Sequence, residues 1–94
     1  MDLYYDTVKR TSNLAKHNVD FEQVHDFDFE TAHMYEDDRN DYGETRWVAV
    51  GLLSGRLHVL CFVETPTGIR VISFRKANTR EVKSYDAFKA QSDD

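Results

Sequence analysis

The stretch Ile69-Arg70-Val71-Ile72-Ser73-Phe74-Arg75-Lys76-Ala77, running into Asn78-Thr79-Arg80-Glu81-Val82-Lys83, carries the densest anion-binding chemistry of the chain. It reads as a buried strand ending in cations, followed at once by a helix start bearing two more. Strand alternation places Val71, Ser73 and Arg75 on one face, and Arg70, Ile72, Phe74 and Lys76 on the other. Asn78 can cap the helix while Glu81 reaches back from the third helical position. Helix N-termini offer free N–H groups and positive dipole to an anion, and Arg75, Lys76, Arg80 and Lys83 gather around this one. A guanidinium emerging just past an apolar run, as that of Arg75 should, can clamp a phosphate bidentately. The same side chain could equally pair with Glu81 or an N-terminal acid.

Two further pairs have useful chemistry. Lys16-His17 closes a helix; it could simply satisfy that helix's negative end, or His17 could transfer protons near neutral pH. Arg46-Trp47 opens a strand; it could bind phosphate and stack a base, or the indole could be core with Arg46 paired to Glu44. Other chemistries find no support. The glycines form no phosphate loop, and histidines 17, 25, 33 and 58 lack the spacing of a structural zinc site. Cys61, the one cysteine, lies in the apolar run Val59–Val63 and reads as a buried, inert thiol that excludes an intrachain disulfide. No serine sits in a nucleophile elbow.

The elements that must position these residues follow from pattern. Leu3-Tyr4-Tyr5 reads as a short strand. Asp6 caps a helix over Thr7–His17 with Val8, Leu14 and Ala15 toward the core, and Asn18 suits the left-handed residue that ends it. Asp20 and Gln23 form a capping box for a second helix whose buried stripe is Phe21, Val24 and Phe27. From Phe29 the period changes to two, Thr31, His33 and Tyr35 alternating with Ala32, Met34 and Glu36, and residues 36–43 form a polar connection. Arg46–Leu53 and Leu57–Val63 are strands joined at Ser54-Gly55, and Ile69–Phe74 follows the Thr65–Gly68 turn. A helix over Thr79–Phe88 closes the chain. This order predicts an α+β domain, with two N-terminal helices and a C-terminal helix packed on one face of a twisted antiparallel sheet.

Ninety-four residues suit a single domain, ordered over about 3–88 with a frayed C-terminal tail. No apolar run approaches the roughly 20 residues of a membrane span, and the N-terminus lacks signal-peptide regions, so a cytoplasmic, membrane-free location is expected. The net charge of −5 hides an asymmetry: residues 1–45 hold 4 Lys/Arg against 12 Asp/Glu, residues 46–94 hold 8 against 5. Such segregation can mark opposed faces, or be ordinary surface charge.

The ordered set Asp6, Lys9, Asn13, Lys16-His17, Val19 and Phe21-Glu22, then Tyr42-Gly43-Glu44, Arg46 and Gly51, then Arg70 through Ala77, Glu81 and Tyr85 resembles the BrnT family, toxins of BrnT/BrnA type II toxin–antitoxin systems. The resemblance runs from about Tyr4 to Tyr85. Asn18 stands where the family usually has glycine, a substitution the left-handed conformation tolerates. The resemblance implies a RelE-like fold and an endoribonuclease that arrests translation by cutting RNA. It also implies a cognate BrnA-like ribbon-helix-helix antitoxin that neutralises the toxin in a hetero-oligomer, operator DNA being reached only through that antitoxin. The family pattern carries over onto Lys16, His17, Arg46, Ser73 and Arg75. Cleavage without metal or cofactor then assigns charge stabilisation to Arg75 and Arg46 and proton transfer to His17 with Lys16. Arg70, Ser73, Lys76, Arg80 and Lys83 would hold the RNA backbone, with Trp47 as a stacking surface. The alternative is a non-catalytic module that only docks its antitoxin or another partner.

Overall fold

The computed structural model describes residues 1–92; Asp93 and Asp94, the last two residues of the expected frayed tail, lie outside them. The order is β1 (Asp2–Tyr4), α1 (Thr7–His17), a 3₁₀ helix (Phe21–Asp26), β2 (His33–Asp37), β3 (Arg46–Leu53), β4 (Arg56–Glu64), β5 (Gly68–Lys76) and α2 (Thr79–Ser92). The strands form one sheet in the order β1-β5-β4-β3-β2. The α+β class is therefore as expected, but three details differ.

First, the sheet is mixed. β1 lies parallel to β5, with Asp2 opposite Gly68 and Tyr4 opposite Arg70. Gly68 makes this pairing sterically possible: a Cβ there would lie 1.8 Å from the Asp2 carbonyl oxygen. Second, the second N-terminal helix is 3₁₀. Six residues between the N-cap Asp20 and extended Phe27 are too few for a stable α-helix, and the 3.0 Å bond from Phe27 N–H to the Val24 carbonyl closes a three-residue turn. The Asp20/Gln23 capping box forms as expected. Third, the helices occupy both faces. Val19, Phe21, Val24 and Phe27 pack on Ala49, Leu60, Phe62, Val71 and Phe74, whereas Tyr85 and Val82 of α2 pack on Val48, Val50, Leu57 and Val59 on the opposite face.

The strand alternation expected in β5 breaks at a bulge. Cys61 pairs with Ser73 and Phe62 with Val71, leaving Ile72 without a partner. Two residues then oppose one, and the sides of the strand exchange. Val71 and Phe74 both enter the first core, 1% and 0% exposed, contrary to their expected separation. Arg70, Ser73 and Arg75 consequently share the other face.

α1 also differs from expectation. Its residues Val8 and Leu14 are 73% and 43% exposed, and Ala15 faces solvent. The helix is held instead by polar anchors. Asn13, 7% exposed, donates from Nδ2 to the carbonyls of Val19 (2.9 Å) and Phe74 (2.7 Å), and its Oδ1 accepts from Phe74 N–H. β1 covers β5 only as far as Arg70, so Asn13 satisfies main-chain groups farther along that edge that no strand reaches. Arg10 adds two bonds to the Asp20 carboxylate, at 2.8 and 3.0 Å.

Candidate active site

On the α2 side of the sheet a cleft of about 510 Å³ opens between the end of β2, the 38–42 connection, β5 and the first turn of α2. Its floor is apolar, built from Val48, Val59, half-buried Cys61 and Ile72, with the Ser73 hydroxyl among them. Burial pushes the Cys61 thiol up, away from the reactive thiolate. The walls hold Arg39, Arg46 and Arg75, the carboxylates of Glu36, Asp37, Asp38 and Glu81, and the phenols of Tyr35 and Tyr42.

The three guanidinium groups differ in how they are held. Arg39 donates to both oxygens of Asp37, each at 2.8 Å. That pair, with Arg39 N–H and the Tyr42 hydroxyl, brings the Asp37 carboxyl down to about 2 against desolvation. Arg75 donates from Nη1 and Nη2 to the two oxygens of Glu81, again at 2.8 Å, and from Nη1 to the Lys76 carbonyl. Glu81 also closes the helix cap: its Oε1 accepts from Asn78 N–H at 2.9 Å, and its own N–H donates to Asn78 Oδ1 at 2.8 Å. Arg75 chiefly, and Asn78 N–H in support, keep the Glu81 carboxyl below its ordinary range.

Arg46 is held by stacking. Its guanidinium lies 3.9 Å from the centre of the Tyr42 ring, and Glu44 stands 3.9 Å from its Nε. Glu44 is drawn off by a hydrogen bond from Arg70. The Arg46 Nε is buried without a hydrogen-bond partner among the described residues. An aromatic face orients a guanidinium without consuming its in-plane donors, so the terminal Nη groups of Arg46, though not its buried Nε, stay open to a ligand.

Of the residues singled out in the sequence, Arg46, Ser73 and Arg75 line this cleft; Arg70 lies on the same face at its margin, tied to Glu44. Lys16 and His17 stand at the end of α1 and do not line it. Trp47 points to the opposite face, half-buried against the first core. Lys76 lines a separate pocket of about 290 Å³ with Arg56 and buried His58, below the Ser54-Gly55 turn. Arg80 and Lys83 are exposed on α2. Tyr35 reads only as an alternating residue of a half-exposed strand, and Arg39 and Tyr42 were not legible as site residues, because the acidic 36–43 segment reads as a connection. Its Tyr42-Gly43-Glu44 was the available signal. No group of His, Cys, Asp and Glu among the described residues has the geometry of a metal site.

A family described as ribonuclease toxin, BrnT, of type II toxin–antitoxin systems matches residues 5–81. Among solved structures, the 1.1 Å crystal structure of the Brucella abortus ribonuclease toxin BrnT aligns with a TM-score of 0.68 at 26% identity, covering 84% of this chain and 99% of that one. No curated protein matches by sequence.

Proposed function

The chain belongs to the BrnT family of ribonuclease toxins of type II toxin–antitoxin systems, and from that premise we propose that it is a metal-independent endoribonuclease whose RNA cleavage inhibits translation. The observation that carries this reading is the convergence of Arg46 and Arg75 on one cleft, with Ser73 between them on the floor. In transesterification the 2′-oxygen attacks the adjacent phosphorus, charge builds on the equatorial oxygens, and the 5′-oxygen leaves. Two guanidinium groups fixed before substrate arrives stabilise that charge without reorganising. The aromatic ring available for a base is that of Tyr42 or Tyr35, since Trp47 faces away. The exposed cations Lys76, Arg80 and Lys83, with Lys16 and His17 at the end of α1, serve in this reading as contacts to flanking phosphates.

The same reading makes the arrangement RelE-like and the chain a single domain. Its regulator is a cognate BrnA-like ribbon-helix-helix antitoxin, joined to the toxin in a cytoplasmic hetero-oligomer that meets operator DNA through the antitoxin. Purified protein is expected to cut single-stranded RNA in EDTA, leaving 2′,3′-cyclic phosphate and 5′-hydroxyl ends. RNA left intact, or cleavage only with added magnesium, would contradict it. RNA intact together with tight antitoxin binding would identify a docking module instead.

A further inference from the structure

The cleft supplies phosphate-binding groups, yet among the described residues no histidine or lysine lines it. Proton abstraction from the 2′-hydroxyl must fall to a group already there. Among the lining carboxylates, Asp37 has its acceptor positions filled, Oδ1 accepting from Arg39 N–H and Nε and Oδ2 from Arg39 Nη2 and the Tyr42 hydroxyl, and titrates at about 2, a very weak base. Glu81 is differently placed. A carboxylate has about four lone-pair sites. Oε1 uses two, accepting from Arg75 Nη1 and Asn78 N–H; Oε2 uses one, accepting from Arg75 Nη2. One lone pair therefore remains on Oε2. Arg75 Nη2 likewise keeps a second N–H, since it makes a single bond, to that same oxygen. The pair presents an open acceptor and an open donor side by side at the cleft wall. A ribose 2′-hydroxyl next to its own phosphate presents the complementary donor and acceptor.

On the reading of this cleft as a ribonuclease site, we propose that Glu81 is the general base, taking the 2′-hydroxyl proton on Oε2 while Arg75 holds the phosphate. The 2′-O–P bond forms as the P–O5′ bond breaks. The departing 5′-oxygen takes a proton from water, and Glu81 returns its own to solvent. The helix cap that fixes Asn78 against Glu81 thus also aims the base, and the salt bridge keeps it ionised at neutral pH.

The test is single-turnover cleavage of a labelled RNA in EDTA by wild type and Glu81→Gln, with RNA affinity and melting measured alongside. The amide oxygen still accepts from Asn78 N–H, so the cap survives while the base is lost. The expected result is a rate at least about 100-fold lower, with RNA bound as tightly as by wild type or more so. A Glu81→Gln protein that cleaves at the wild-type rate or faster overturns the proposal, the carboxylate then being only a shield on Arg75. Wild-type rate against pH, with folding followed by Trp47 fluorescence, gives a second reading even should the variant not fold. The rate should fall on the acid side, below the ordinary glutamate range, while the protein remains folded; a flat profile over the folded range overturns the assignment. Failure of wild type itself to cut RNA would refute the ribonuclease reading rather than the role of Glu81.

Discussion

Replacing Asn13 by alanine should be the most damaging change on α1, although Asn13 touches neither the cleft nor any apolar residue's side chain through its hydrogen bonds. Its amide satisfies three main-chain groups: the carbonyls of Val19 and Phe74 and the N–H of Phe74. If water reached all three after truncation, the loss would be the net worth of three bonds, about 0.5–1.5 kcal/mol each. If none were reached, each orphan would cost about 1–3 kcal/mol. Phe74 is fully buried and α1 lies at the periphery, so the value falls between, roughly 3–5 kcal/mol. For a domain of this size that corresponds to a melting temperature lower by roughly 15–30 °C. Urea titration followed by Trp47 fluorescence measures it. Asn13→Asp sharpens the test: it keeps the acceptor for Phe74 N–H but turns an oxygen toward two carbonyls, and should be no better tolerated than alanine. A loss below 1 kcal/mol for Asn13→Ala would refute the view that this one side chain fastens α1 to β5.

Other consequences are equally open to measurement. Gly68→Ala should expel β1, because the clashing atoms belong to the Asp2 main chain and no rotamer change relieves them. The loss of the short parallel ladder should cost about 2–3 kcal/mol and deprotect the amides around Gly68 and Arg70 in hydrogen exchange, with RNA cleavage little changed. Stability should also depend on pH in two steps. Burial, aided by Arg56 and Lys76, holds the His58 pKa below its usual value, so neutral His58 contributes stability above about pH 6.5 that is lost as pH falls. His58→Gln should flatten that step. The depressed carboxyls of Glu81 and Asp37 add a second loss on the acid side, beginning below about pH 4.5 and continuing toward 2. Thermal melts between pH 3 and 8 separate the two.

Much of this architecture is legible in the chain because local signals and tertiary structure agree. Asp6, Asn18, Asp20 and Gln23 cap the elements they were expected to cap, and Asn78 and Glu81 form the reciprocal pair their spacing implies. Ser54 and Gly55, both with positive φ, make the expected hairpin turn. What escaped is non-local. Nothing in Ile69–Lys76 announces the bulge at Ile72, because period-two reasoning assumes an unbroken ladder, and the bulge exists only relative to Cys61 and Phe62 of β4. The apolar Val8 and Leu14 suggested the inner face of α1, whereas edge groups of β5 drew Asn13 inward. The site shows the same division. Arg46 and Arg75 were identifiable from residue type and position, and their meeting was not. It depends on the bulge turning Arg75 to the face of Arg46, and on the 38–42 connection folding Tyr42 beneath a guanidinium. Glu81 was visible as a cap and as a partner for Arg75, but its place in a cleft requires α2 to cross to the face opposite α1.

If this cleft cuts RNA through guanidinium groups fixed in advance, Arg46→Ala removes one of them at little expense to the fold. Among the described residues Arg46 makes no hydrogen bond that its removal would orphan, and its buried Nε has no hydrogen-bond partner, so melting should move by no more than a few degrees. The single-turnover rate of RNA cleavage in EDTA should nevertheless fall by about 100- to 1000-fold, the usual cost of deleting one preorganised donor to a charged transition state. A folded Arg46→Ala protein that cleaves RNA at the wild-type rate would contradict the account.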